Sequence, residues 1–195
     1  GFYIMIFKKT VFSLVLALGL VSANVQAAEH YQIDIKGMHA FISFKVKHLG
    51  ISWLEGRFNR FKGSFDVDKA NPSNNKVTVN IEVASIDSNH AERDKHLRGK
   101  RFFDVKKFPK ASFVSTSWKD LGDGQSELVG NFTLRGVTKA ITLAVSKVGE
   151  GKDPWGGYRS GYVGTTTLNL SDYKMKEGHI LGAAADEVQM RLSIE

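Results

Sequence analysis

The sequence predicts an all-β fold: an antiparallel β-barrel of about eight to nine strands with a short helical insertion. Three observations carry this prediction. Apolar and polar residues alternate with a period of two through most of the chain, the signature of strands with one dry and one wet face. Several alternating segments run near ten residues, or roughly 33 Å at about 3.3 Å per residue, which suits a tall barrel. One internal segment alone switches to a helical pattern.

The elements follow in order. Tyr31, Ile33 and Ile35 alternate with Gln32, Asp34 and Lys36, and Ile42, Phe44 and Val46 with Ser43, Lys45 and Lys47. Residues 53–67 read as extended, with Gly56 and Gly63 as bends or bulges. Val77, Val79, Ile81 and Val83 form the clearest strand, and residues 111–118 form another. Leu128, Gly130, Phe132 and Leu134 make the next, then Ile141, Leu143 and Val145. Residues 158–170 form a long strand containing Gly161 and Gly164, and Val188, Met190, Leu192 and Ile194 close the chain. Between strands, residues 89–98 (NHAERDKHLR) predict a short helix, with Asn89 as cap, Glu92 as its capping-box partner and Gly99 as the stop. The insertion at 89–109 would plug or lid one end of the barrel. About eight strands enclose a space that side chains fill or that holds one small ligand. The alternate face carries Lys, Asp, Glu, Asn and Ser, which suits water and not lipid.

The N-terminus has its own logic. Lys8 and Lys9 precede an uncharged apolar run, TVFSLVLALGLV, and then the small-residue pattern Val25-Gln26-Ala27. This reads as a secretory signal peptide over residues 1–27, cut after Ala27, with Met5 as the start and residues 1–4 as an upstream artefact. The run falls short of the about 20 residues that span a bilayer. Residues 28–195 then form one domain, expected to be exported. Of 27 Lys+Arg and 20 Asp+Glu, only Lys8 and Lys9 leave with the signal, so the net charge falls from +7 to +5. That modest field favours anionic membrane surfaces, and nucleic acid is not an expected partner. With no Cys the chain has no disulfide and no thiol nucleophile.

No catalytic constellation emerges, so an enzyme is not the expected reading. There is no GxSxG elbow and no HExxH. His90 and His96 are six apart, which does not align two side chains on one helix face, and His39 and His48, nine apart, fall on opposite faces of a regular strand. No metal site and no cofactor are expected. DPWGGYRSG at 153–161 reads as a tight hairpin with a packed Trp155; contact of Asp153, Trp155 and Arg159 with a head group is the alternative. The alternation places Phe44, Val46, Ile81, Val83, Phe113, Phe132, Leu143 and Leu168 on the inward face as candidate ligand-lining residues. Leu49, Ile51, Trp53 and Leu54 crowd an apolar turn at Gly50, where polar residues are the rule. They either fold back as a cork or form a docking lip at a membrane interface, where Trp is favoured.

The segments KGMHAFISFKVKHLGISWLEG (36–56), NHAERDKHLR (89–98), FFDVKKFPKASF (102–113), GNFTLRGVTKAITL (130–143) and DPWGGYRSG (153–161) together resemble the YceI family of bacterial polyisoprenoid-binding proteins. The resemblance implies a soluble periplasmic protein with a lipocalin-like barrel whose apolar interior holds an isoprenoid or other long-chain lipid. A transient membrane contact goes with that, and a homodimer is left open. Two other readings stand beside a carrier: an enzyme acting on a quinone-like isoprenoid, and a structural or chaperone-like barrel with a filled core. One departure from the family pattern is visible. Where members often carry Asn-Arg-x-Asp-Phe-Gly, this chain reads NLSDYK, with Leu170 for the arginine and Lys174 for the glycine.

Overall fold

The structure, a computed structural model, describes residues 27–175 and 183–195. The expected signal peptide, but for Ala27, lies outside the described residues. One helix, α1 (Ala91–Arg98), accompanies eleven strands: β1 (Glu29–Gln32), β2 (Phe41–His48), β3 (Ser52–Phe58), β4 (Phe61–Val67), β5 (Lys76–Glu82), β6 (Ile86–Asp87), β7 (Lys110–Gly122), β8 (Gln125–Leu134), β9 (Val137–Lys152), β10 (Tyr158–Asn169) and β11 (Glu187–Ile194).

All eleven strands belong to one antiparallel sheet in the order β1-β4-β5-β7-β8-β9-β10-β11-β2-β3-β6. The sheet curls back on itself because β3 and β4 are joined by only Asn59 and Arg60. β3 pairs with β2 while β4 pairs with β5, so this bent strand belongs to both ends of the sheet. The bend is held by the Asn59 and Arg60 amides, which donate to the Ser85 carbonyl and hydroxyl at 3.1 and 2.9 Å. With β3–β4 taken as one strand, the circuit holds about eight, the size that leaves a narrow interior. One end, termed upper, carries the β2–β3 turn, α1, the β8–β9 turn and the short 3-10 turns Leu170–Tyr173 and Ala183–Ala185 that flank β10 and β11. The lower end carries the β7–β8 and β9–β10 turns and the C-terminus.

Strand alternation survives almost unchanged. In β5, Val77, Val79 and Ile81 are buried between exposed Lys76, Thr78 and Glu82. Four details differ from expectation. Gly56 and Gly63 do not bend the strand; each lies inside a regular ladder, and the break falls between them. A Cβ on Gly56 would overlap the Phe44 ring, and one on Gly63 would overlap the Thr78 carbonyl and Ile33, so both glycines serve close approach. Val83 leaves the strand and begins a 3-10 turn at Val83–Ser85, though it stays 1% exposed. The α1 cap is His90, not Asn89: His90 Nδ1 accepts from the Arg93 amide at 3.2 Å, while Asn89 turns the chain in the left-handed region at φ 61°. Gly99 ends the helix in extended rather than left-handed geometry, φ −72°. Cap and stop residues in a sequence announce a helix but leave its ends uncertain by a residue or two.

Candidate apolar binding cavity

The upper end encloses a cavity of about 360 Å³. Its wall is built by inward residues of the strands, Phe44 and Val46 from β2, Leu54 and Phe58 from β3, Ile81 from β5, Phe132 from β8, Leu168 from β10 and Met190 from β11. The rest comes from segments outside the sheet: His90, Arg93, His96 and Leu97 of α1 and its cap, Phe102 and Phe103 beyond it, and Leu170 and Met175 after β10. Apolar side chains dominate, and the polar ones gather on α1.

The position of α1 over this end is fixed by buried and half-buried polar bonds. Asp94, 6% exposed, accepts from the Ser88 amide at 2.9 Å and the Ser88 hydroxyl at 2.5 Å. Arg93 donates to the Ser88 hydroxyl and carbonyl at 2.7 and 2.6 Å, and Arg98 donates to the Ala84 and Ile86 carbonyls at 2.8 and 2.9 Å. Breaking a buried charge-assisted bond of this kind costs about 1.5–3 kcal/mol, so the helix is bolted rather than draped. Phe103 packs edge-on against Phe58, centroids 6.1 Å apart. The insertion therefore lies at one end of the barrel, as a piece of cavity wall.

Of the eight inward candidates, Phe44, Val46, Ile81, Phe132 and Leu168 border this cavity. Phe113 and Leu143 border a second apolar cavity of about 40 Å³ lower in the barrel, with Trp118, Tyr162 and Gly164. Val83 is buried but borders neither, because its 3-10 turn takes it off the strand face. Sequence reading did not single out Phe103, Leu97, Leu170 or Met175 as lining. Leu97, Phe103 and Met175 lie outside the strands, where alternation assigns no face, and Leu170 falls one residue past the end of β10, in step with the inward Leu168.

The four residues of the apolar turn divide. His48, Leu49, Gly50 and Ile51 make a two-residue hairpin turn, closed by the Ile51 amide on the His48 carbonyl at 3.0 Å, with Leu49 and Gly50 at φ 55° and 72°. That positive-φ pair matches the strand twist, and Gly50 accepts it without cost. Leu49, Ile51 and Trp53 are 54, 84 and 45% exposed, so they do not cork the barrel. Leu54 alternates inward and borders the cavity. Lys45 and Lys47 sit over the Trp53 ring at 4.7 and 5.5 Å.

Among the described residues, His39 is the one histidine that joins a grouping of potential metal ligands. His90 and His96 are exposed and both border the cavity. Among the described residues, ligand atoms of Asp34, His39 and Glu195 lie within 4.8 Å of one another. The positive charge there is supplied by Arg159, which donates to Asp34 at 2.7 Å, Glu195 at 2.6 Å and Asp153 at 2.9 Å. Those bonds, the Arg159 one foremost and then the Gly37 amide, hold the Asp34 carboxyl down at about 2. Asp153 also receives the Gly157 and Trp155 amides at 2.7 and 2.9 Å, which makes the expected hairpin. Trp155 is not packed, however: it stands 79% exposed beyond the turn, against the Arg159 guanidinium at 5.8 Å. At the departure noted in sequence, Lys174 takes a left-handed φ of 61°, the conformation that glycine adopts without penalty, and Leu170 borders the cavity.

Comparison with known proteins agrees with this architecture. The model of the YceI-like domain matches residues 31–195. A UPF0312 protein of Pseudomonas aeruginosa (strain LESB58) is 51% identical over 188 residues, covering 96% of this chain and 97% of that protein. One from Yersinia pestis (strain Pestoides F) is 50% identical, covering 96% of each. Among solved structures, the Campylobacter jejuni YCEI protein superposes with a TM-score of 0.67 at 28% identity, covering 77% of this chain and 90% of that one. Burkholderia cenocepacia BcnA superposes at 0.74 with 24% identity, covering 83% and 98%. A polyisoprenoid-binding domain from Saccharophagus degradans, implicated in plant cell wall breakdown, superposes at 0.58 with 14% identity, covering 86% and 97%; these last two likenesses concern the fold. A curled antiparallel sheet around an apolar cavity, matched over residues 31–195, places this chain in the YceI-like family.

Proposed function

We propose that the protein is a periplasmic carrier or reservoir that holds a long isoprenoid-type lipid, chain inward, in the upper cavity. The observation that carries this reading is the cavity itself: about 360 Å³ walled by Phe44, Phe58, Phe103, Phe132, Leu168 and Met190. A barrel serving only as structure would fill that space, since each void forfeits packing. The polar residues of α1 at the rim, His90 and His96 among them, would meet a head group.

Energetics favour a carrier over a tight trap. Taken from water, a chain of about 40 carbons would gain about 30 kcal/mol at about 0.8 per CH2. Real complexes stop near 18–21 kcal/mol. The chain starts in a membrane, where it is already dry, so transfer is small in free energy and reversible. Native mass spectra of protein purified from its own cells should carry an intact isoprenoid-like adduct. Ile81→Asp, which puts an unpaired carboxylate in the wall, should abolish that adduct or folding. Turnover of the extracted lipid would instead favour an enzyme, and an adduct undisturbed in a folded Ile81→Asp protein would sink the assignment of the site. Export is supported by Lys8, Lys9 and the apolar run after them. Osmotic shock should release protein beginning near Ala28; membrane-bound protein retaining Lys8 and Lys9 would contradict it.

A further inference from the structure

The two apolar cavities share no lining residue, and the seam between them can be traced strand by strand. On β5 it passes between Ile81 above and Val79 below, on β7 between Ala111 and Phe113, and on β11 between Met190 and Leu192. On β8 it passes between Phe132 above and Leu128 below, which leaves Gly130 on the seam itself. The ring of Phe113 reaches that glycine: a Cβ on Gly130 would overlap its edge, and would also crowd the Val114 carbonyl of β7. A ring that needs a glycine to lie against the wall has no slack on that side, so its other side bounds the bore. Below the seam the space shrinks to about 40 Å³, although every residue around it is as apolar as those above.

We propose that the two cavities are successive sections of one chain-binding bore, and that Phe113 seated on Gly130 is the stop that sets how long a chain the protein accepts. The inference rests on the lipid-binding reading above. It assigns chain-length selection to a residue pair well below the rim, where no head group reaches. Removing the ring joins the small lower space to the volume vacated by six ring carbons and opens a path past the seam. A methyl on Gly130 would meet both the ring and the Val114 carbonyl of the β7–β8 ladder, so the ring itself is the part to vary.

The lower cavity contains its own reporter, because Trp118 borders it at 9% exposure while Trp53 and Trp155 face solvent. The test is a ladder of all-trans prenyl alcohols of increasing length, each titrated into delipidated protein, with affinity from native mass spectrometry and emission from Trp118 read in a Trp53→Phe/Trp155→Phe background. Wild type should reach a best length beyond which affinity stops rising, with Trp118 emission unmoved. Phe113→Ala should shift that optimum upward by at least one isoprene unit, with a gain of at least about tenfold for the longer alcohol, as one well-fitted methylene is worth about 10–200-fold. Its Trp118 emission should move on binding. Phe113→Leu should behave in the same direction if the alanine variant does not fold. The same optimum in wild type and in the Phe113 variants would overturn the stop, as would a wild-type Trp118 that responds to the longest alcohols. Failure of wild type to bind any alcohol would count against the lipid-binding reading instead.

Discussion

Arg159 draws together three stretches of chain at the lower end: Asp34 from the segment after β1, Asp153 from the β9–β10 turn and Glu195 at the C-terminus. The Asp34 amide also donates to the Glu195 carbonyl at 2.8 Å, so backbone and side chains staple the same corner. Linkage turns this into a pH dependence. Asp34 has its folded value depressed from 3.8 to about 2, chiefly by the Arg159 bond, so its contribution to stability is fully present above about 4 and is lost as pH falls through about 2. Asp34→Asn should therefore be less stable than wild type at pH 7, by an amount that shrinks between pH 4 and pH 2. Urea midpoints at pH 7, 4 and 2 check this; a gap that stays constant with pH would show that the carboxylate's charge is not what the corner uses. His39 reaches the same carboxylate at 3.1 Å, an arrangement that sequence spacing alone did not suggest. The sequence separates Asp34 from Arg159 by 125 positions, and no periodicity pairs residues across such a distance.

At the scale of elements, the close approach of β1, β4 and β5 depends on Gly63. A side chain there would meet the Thr78 carbonyl of β5 and the Ile33 side chain just after β1, and the first of these is backbone that cannot swing aside. Gly63→Ala should lower stability by about 1–3 kcal/mol, the usual cost of overpacking. Amide exchange should quicken first in β1, which is bound on one edge only, by β4. A variant as stable as wild type would mean that β4 shifts freely, against the eight-strand circuit. The strands themselves were legible because a half-buried sheet imposes period two on composition, as β5 shows almost residue by residue. The bend at Asn59 and Arg60 was not, because it is made by hydrogen bonds to Ser85 rather than by a bend-prone residue. The β9–β10 turn was read as a hairpin from its glycines, one of which, Gly156, does take φ 90°. Its Trp155 stands out into solvent against expectation, since an aromatic in a turn carries no sign of whether it folds back or stands out.

At the scale of the whole molecule, two features share the upper end: the cavity, bordered by Leu54, and a turn that exposes Leu49, Ile51 and Trp53. The inward residues on strands were readable from alternation, yet half the cavity wall comes from α1 and the connections, whose faces only the fold decides. We hypothesise that the exposed turn is the lip that docks on a membrane while a lipid passes. A single exposed apolar residue is ordinary, but three at one hairpin tip, flanked by Lys45 and Lys47 on the outer face, form an amphipathic edge beside the cavity. Near an anionic surface each lysine adds about 1 kcal/mol of attraction, and the Trp ring belongs at the head-group level. Trp53 lies on the outer face opposite Lys47, so its removal should leave the core intact. Trp53→Ser should therefore load lipid from anionic vesicles several-fold more slowly than wild type while keeping its urea midpoint within about 0.5 kcal/mol. High salt, which screens the lysine attraction in both proteins, should slow loading by wild type and variant alike. Equal loading rates in wild type and variant would move the lip elsewhere on the upper rim, and a large loss of stability would mean that Trp53 serves the fold rather than the membrane.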